Sequence, residues 1–192
     1  LTGRLIKKSI IKENKIFFSE KLRYLEDETF AWNILSFSKN VKYIREQFYS
    51  YYVHPNEKTG LSCGLNMKYP ISNFKLVKEQ IEKSLSNLEF DKEKIRKISD
   101  QAFIFYIISA LISSSKSIIL KKVDKDLGLA SRKKMISEII KDDHVQIAIK
   151  NYKCSKYESS WIPRAISFKL NFLVELACTI RAKSILKKRR NS

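Results

Sequence analysis

Three adjacent carboxylates, Glu26-Asp27-Glu28, stand in a chain that carries 38 Lys and Arg against 20 Asp and Glu. They sit within Tyr24-Leu25-Glu26-Asp27-Glu28-Thr29-Phe30, after the apolar run Ile16-Phe17-Phe18 and before an amphipathic segment from Phe30 to Phe37. The order reads as strand, turn, and carboxylates at a helix start. Two kinds of chemistry follow. Acids in a first turn satisfy free N–H groups and the positive end of the helix dipole, an ordinary structural use. A carboxylate held where a strand ends is also where α/β enzymes place a general base. Local pattern alone leaves both open.

The elements that would position this run divide into two stretches. Residues 4–13 have helical spacing of Leu5, Ile6, Ile10 and Ile11 against Lys7, Lys8 and Lys12. A short strand at 16–18 follows, then a loop, then a helix over 26–39 that turns Phe30, Ile34, Leu35 and Phe37 toward a core. Residues 41–53 are rich in β-branched and aromatic types, with an alternation that shifts near Arg45-Glu46-Gln47. This predicts two strands, or one strand bent by a bulge. His54-Pro55-Asn56-Glu57-Lys58-Thr59-Gly60 reads as an exposed loop. From residue 70 the strand signals stop. Helices are expected over 71–88, 91–121, 131–141, 143–152 and 162–188, with Ser131 as an N-cap and Pro163 in the first turn of the last helix.

Composition bounds the rest. The chain has 192 residues, 44% hydrophobic and 11% aromatic, enough for a folded core. Four Gly and three Pro argue against a turn-rich all-β sandwich. The net charge of +18 points to a polyanionic partner or to residue usage on solvated helix faces. Cys63, Cys154 and Cys178 are scattered, with no His at metal-ligand spacing, which reads as free thiols in a reducing cytosol and not as a zinc site. The longest apolar run, 102–112, is shorter than the roughly 20 residues that span a bilayer. The chain opens on Leu1-Thr2-Gly3-Arg4 without Met and is therefore read as a piece of something longer.

Read together, residues 3–20, then Glu26-Asp27 with Phe30, then Phe48-Tyr49-Ser50-Tyr51-Tyr52-Val53-His54, then Leu61-Ser62, form an ordered set. That succession resembles the bacterial family 2 glycosyltransferases of the GT-A fold, which build capsules and lipopolysaccharide outer cores. The match covers roughly residues 3–62. The resemblance implies an α/β fold class: a partial GT-A-like segment of short strands and helices over 1–69, the C-terminal part of the catalytic domain, followed by a mostly α-helical extension over 70–192. It implies inverting transfer of a sugar from a nucleotide-sugar donor to a glycan acceptor. Asp27 matches the family's general base, Glu26 the residue beside it that orients the acceptor or the base, and His54 a position near the donor diphosphate. A divalent metal, Mg or Mn, is implied for the full-length enzyme. Its Asp-x-Asp ligands belong to a nucleotide-binding half that is absent here; Asp124-Lys125-Asp126 has the letters but lies in the helical part and reads as a loop or helix start. The isolated fragment is then expected to be inactive and cytoplasmic.

Two partners outside catalysis remain in view. The last predicted helix has an apolar side, Ile166 to Ile180, and a basic end, Arg181, Lys183, Lys187, Lys188, Arg189 and Arg190, with no acid after Glu175. Such a helix can lie on an anionic leaflet, on the inner face of the plasma membrane, or pack into a core with a charged tail. A basic helical nucleic-acid-binding module is less favoured. The Lys residues are spread along the whole chain, and no helix-turn-helix, zinc-finger or stacking motif is legible.

Overall fold

The computed structural model describes residues 4–22, 24–46, 71–120, 125–155 and 158–190. Among these residues the fold is all helical: α1 (Lys8–Glu13), α2 (Glu26–Ser36), α3 (Ile71–Leu85), α4 (Lys92–Ile119), α5 (Lys125–Lys141), α6 (Asp143–Ala148) with a 3-10 turn over Ile149–Asn151, α7 (Trp161–Ser167) and α8 (Asn171–Arg190). No strand is present among the described residues, which corrects the expected α/β segment. Ile16, Phe17 and Phe18 are extended but pair with nothing in a ladder. Residues 41–45 are likewise irregular, and the rest of the expected strand, 47–53, lies outside the described residues. The reason is visible in exposure. Val41 is 71% and Tyr43 84% exposed, so the β-prone side chains have no second layer to bury against.

The chain divides into two compact units, Leu1–Asn56 with Lys75–Ser99, and Glu57–Phe74 with Asp100–Ser192. In the first, Ile16, Phe30 and Ile34 form a small core, with Ile6, Ile10 and Ile11 of the α1 region against it. Spacing of four residues puts Phe30 and Ile34 on one face of α2; Leu35, expected inside, lies off that face, and Phe37, also expected inside, is the C-cap after the last turn, and both stay exposed. Phe18 stacks on Phe30 with ring centroids 4.1 Å apart. α1 ends in a left-handed Lys15, φ 49°. The N–H of Ile16 bonds Ile11 O and that of Lys15 bonds Lys12 O, the two bonds of a Schellman cap. Ile16 is thus a cap residue folded back on Ile11, and its apolar character serves that contact. Ser84 at the end of α3 donates to Asn33 Oδ1 of α2, and Asn87 Nδ2 donates to Ser36 Oγ at 3.4 Å.

In the second unit α4 supplies the central apolar face, with Phe103, Ile104, Ile107 and Leu111 fully buried. α4 is long and apolar enough by length and composition to cross a membrane, since the helix runs well past the apolar run of the sequence; in this unit its buried residues form the core. α5 is a single helix from Lys125, so Ser131 lies inside it and is no N-cap. α6 does have a cap: Asp142 Oδ1 accepts from the N–H of His144 at 3.0 Å and of Val145 at 3.3 Å. Gln146 Nε2 donates to Ile140 O at 2.8 Å and Ile166 O at 3.1 Å, joining α5, α6 and α7.

Arg132 of α5 is 1% exposed. Its Nη1 donates to Leu111 O at 3.1 Å, Ser114 Oγ at 2.9 Å and Ser115 Oγ, and its Nη2 to Glu175 O at 3.5 Å. One guanidinium so ties α4, α5 and α8. Burial pulls its pKa below the ordinary value, opposed by Cys178 and Glu175 beside it. The same burial pushes the Cys178 thiol up to about 11.

Candidate functional site

The acid turn is where the sequence placed it, on a different platform. Glu26, Asp27 and Glu28 occupy the first turn of α2 and are each half-buried. Leu25 precedes them at φ 63° in the left-handed region, with no side-chain cap. Asp27 Oδ1 accepts from the Glu28 N–H at 2.9 Å. Glu28 pairs with Arg4 at 3.5 Å, both side chains partly exposed, an arrangement of small energetic weight. Three carboxylates at the positive end of a helix satisfy the dipole. The strand end that would have held Asp27 as a base is missing among the described residues. His54 lies outside them, as do Tyr51, Tyr52, Leu61 and Ser62. No group of three or more His, Cys, Asp or Glu among the described residues converges on a cation position.

A second place was only half legible. The expected helix over 162–188 is two helices. Lys169 is left-handed at φ 56°. The N–H of Lys169 bonds Ile166 O at 3.0 Å and that of Leu170 bonds Ala165 O at 3.2 Å, a Schellman cap that ends α7 and turns the chain into α8. α7 and α8 then pack against each other. Their inner faces are closed: Ile162, Ala165 and Ile166 of α7, and Val174, Cys178 and Ala182 of α8, are buried. Their outer faces are apolar and open. Trp161 is 70% exposed, Phe168 70%, Phe172 71% and Ile180 59%, with Leu170, Leu173 and Leu176 also exposed.

The outer row of α8 changes character along its axis. Phe172, Leu176, Ile180, Lys183 and Lys187 fall within a sector of about 80° at 3.6 residues per turn. The first three are apolar and the last two basic, all exposed. Arg164 of α7 and Arg181 of α8 flank the same region. Between the helices lies a groove of about 730 Å³. Its walls include Trp161, Ala165 and Phe168 on one side and Leu173, Leu176, Ala177 and Ile180 on the other. Close by, Cys154 is exposed, and burial followed by the charge of Glu158 pushes its thiol up, away from a reactive thiolate. Sequence reasoning left Trp161 unassigned and missed the corner. A signal was present: Ile166, Phe168, Leu170 and Phe172 recur every second residue, which one continuous helix cannot place on one face.

These features define a class, a helical module that presents a bipartite apolar and basic face. No protein-family model, curated protein or solved structure matches the chain. The functional reading rests on the residues themselves.

Proposed function

We propose that the α7–α8 face docks this protein on an anionic membrane leaflet, as a peripheral surface module without catalysis of its own. One observation carries the reading: an exposed row that runs from Phe172, Leu176 and Ile180 to Lys183 and Lys187. Large apolar side chains left in water on one contiguous face mark an interaction surface. Full burial of one such side chain is worth about 1.5–3 kcal/mol, and each Lys or Arg near an anionic surface about 1 kcal/mol. Partial insertion of the four most exposed rings and branches, with the basic end in the headgroups, gives on the order of 5–10 kcal/mol before ordering costs. That is the range of reversible peripheral binding. A nucleic-acid partner would use the lysines and leave Ile180 and Leu176 in water.

The test is flotation with vesicles of phosphatidylcholine alone and of phosphatidylcholine mixed equally with phosphatidylserine. Binding should require the anionic lipid, fall with salt, and be lost in Phe172→Asp and in the pair Lys183→Glu with Lys187→Glu. Equal binding of wild type and both variants, or binding of a single-stranded oligonucleotide and not of vesicles, would refute it.

A transferase role for the acid turn is a second reading, supported by one observation beside the motif order: Glu26 and Asp27 are adjacent and half-buried, within reach of solvent. Under it Asp27 takes the proton of the acceptor hydroxyl as that oxygen attacks the donor's anomeric carbon with inversion, breaking its bond to the diphosphate and releasing the nucleoside diphosphate; the residues that would hold the nucleotide-sugar donor and a divalent metal belong to a half outside this chain. The loss of the strand platform weighs against it. In the protein extended upstream, Asp27→Asn should abolish sugar transfer with folding intact; retained transfer removes Asp27 as base.

A further inference from the structure

We infer that the groove between α7 and α8 is a binding site for one anionic phospholipid of the leaflet, with an acyl chain in the groove and the phosphate held by Arg164 and Arg181. The inference rests on the membrane reading above and deepens it. A flat contact needs only the outward row of α8. The structure has in addition a recess of about 730 Å³ beside that row, within the size range of sites that hold small molecules. The recess exists because small side chains, Ala165 from α7 and Ala177 from α8, stand between larger neighbours Trp161, Phe168, Leu173 and Leu176. Every one of these walls is apolar, so the occupant is a chain and not a polar head.

Polarity enters only at the lining residues Arg164, Arg181, Ser159 and Ser184. One guanidinium comes from each helix, and the planar fork of Arg matches phosphate oxygens better than a lysine does. Lys183, Lys187 and Lys188 continue the positive charge beyond Arg181, with no acid following Glu175. Charge complementarity thus selects an anionic head over a zwitterionic one. A partner helix is the poorer occupant: it is about 10–12 Å across with its side chains, whereas α7 and α8 are packed against each other and leave a trough between neighbours.

The experiment separates the site from general membrane attraction. The full chain is titrated by calorimetry with dioctanoyl phosphatidic acid as monomers, with the matching phosphatidylcholine, and with inorganic phosphate. Expected is saturable one-to-one binding of the phosphatidic acid, about tenfold tighter than either comparison ligand. Ala177→Leu fills the recess, and Ser184→Trp blocks it from an exposed position should the first variant fold poorly. Each should weaken the monomeric lipid about tenfold while anionic vesicles still bind. No binding of the monomer by a wild type that floats with anionic vesicles overturns the site and leaves the docking face standing. Loss of both overturns both. Phosphate binding as tight as the lipid, or a change of oligomeric state in Ala177→Leu without a change in lipid binding, overturns the site as well, the latter in favour of a second copy of this chain in the groove.

Discussion

Removing the guanidinium of Arg132 should cost less than removing the hydroxyls that receive it. Buried arginines are usually matched by a carboxylate, and breaking such a pair costs about 3–5 kcal/mol because the survivor is left charged and alone. Arg132 is held instead by carbonyls and hydroxyls, with the Cys178 thiol beside it, and its carbonyl acceptors have other donors. Ser114 Oγ and Ser115 Oγ donate to Leu111 O at 2.8 and 3.0 Å. Thr179 Oγ1 donates to Glu175 O at 2.8 Å. Arg132→Met therefore strands no buried carbonyl, leaves each serine hydroxyl its bond to Leu111 O, keeps most of the side-chain volume, and recovers the desolvation of a charge. A net loss of about 0–2 kcal/mol is expected. The double change Ser114→Ala with Ser115→Ala leaves the guanidinium buried on two carbonyls and the Cys178 thiol, and about 3–5 kcal/mol is expected. The triple variant should return to within about 1 kcal/mol of Arg132→Met. Urea denaturation followed by circular dichroism measures all four corners of this cycle. An Arg132→Met loss larger than that of the serine pair would refute the reasoning and show that the cation itself holds α4, α5 and α8 together.

Four further outcomes follow from single sites. Cys178 keeps its proton to higher pH in the folded chain, about 11 against an ordinary 9, so its contribution is intact below about pH 9 and is lost as pH rises toward about 11, on the order of 2–3 kcal/mol; Cys178→Ala should flatten that alkaline slope in a pH series of denaturation midpoints. Lys169→Gly relieves a left-handed lysine and should stabilise by about 1 kcal/mol, read as a raised urea midpoint. Asp142→Ala removes the cap of α6 and should cost about 1 kcal/mol. Phe30→Ala opens the small core of the first unit and unstacks Phe18, for about 3–5 kcal/mol, seen as early loss of protection of α2 amides in hydrogen exchange.

Helix existence after residue 70 was legible because apolar spacing of three and four residues is a strong signal over long segments. What was not legible has particular causes. Both helix ends at Lys15 and Lys169 use lysine where glycine is the usual residue, so the stop signal was absent from the letters. Ile16-Phe17-Phe18 carries strand propensity, but its first residue serves a cap and its last a ring stack. Ser131-Arg132-Lys133-Lys134 looks like solvated surface, and its arginine is buried because carbonyls of α4 and α8 and the serines at 114 and 115 receive it. Ser113-Ser114-Ser115 interrupts the apolar run 102–112 with polar letters, yet two of the three are buried inside α4. For the site, the acid turn was found and its platform was not. The basic end of the last helix was found, while Trp161 and the corner at Phe168 needed the break in the chain to be seen.

The two faces of α8 depend on one another. Val174, Cys178 and Ala182 recur every four residues and are fully buried, and two of them are small enough to let α8 lie close against its neighbours. That close seating fixes the rotation of α8 about its own axis, because a turn of one residue, about 100°, would drive Ile180 or Lys183 inward. The outward row of Phe172, Leu176, Ile180, Lys183 and Lys187 is therefore set by the inward row of small residues. The Schellman corner at Lys169 then brings Trp161, Arg164 and Phe168 of α7 to the side of that row and opens the groove between them. A lone amphipathic helix could offer the lysines and the apolar stripe. Only a helix held in register against a second one can offer a recess with an arginine from each, which is why Ala177→Leu and the charge-reversed lysines should separate lipid selection from membrane attraction.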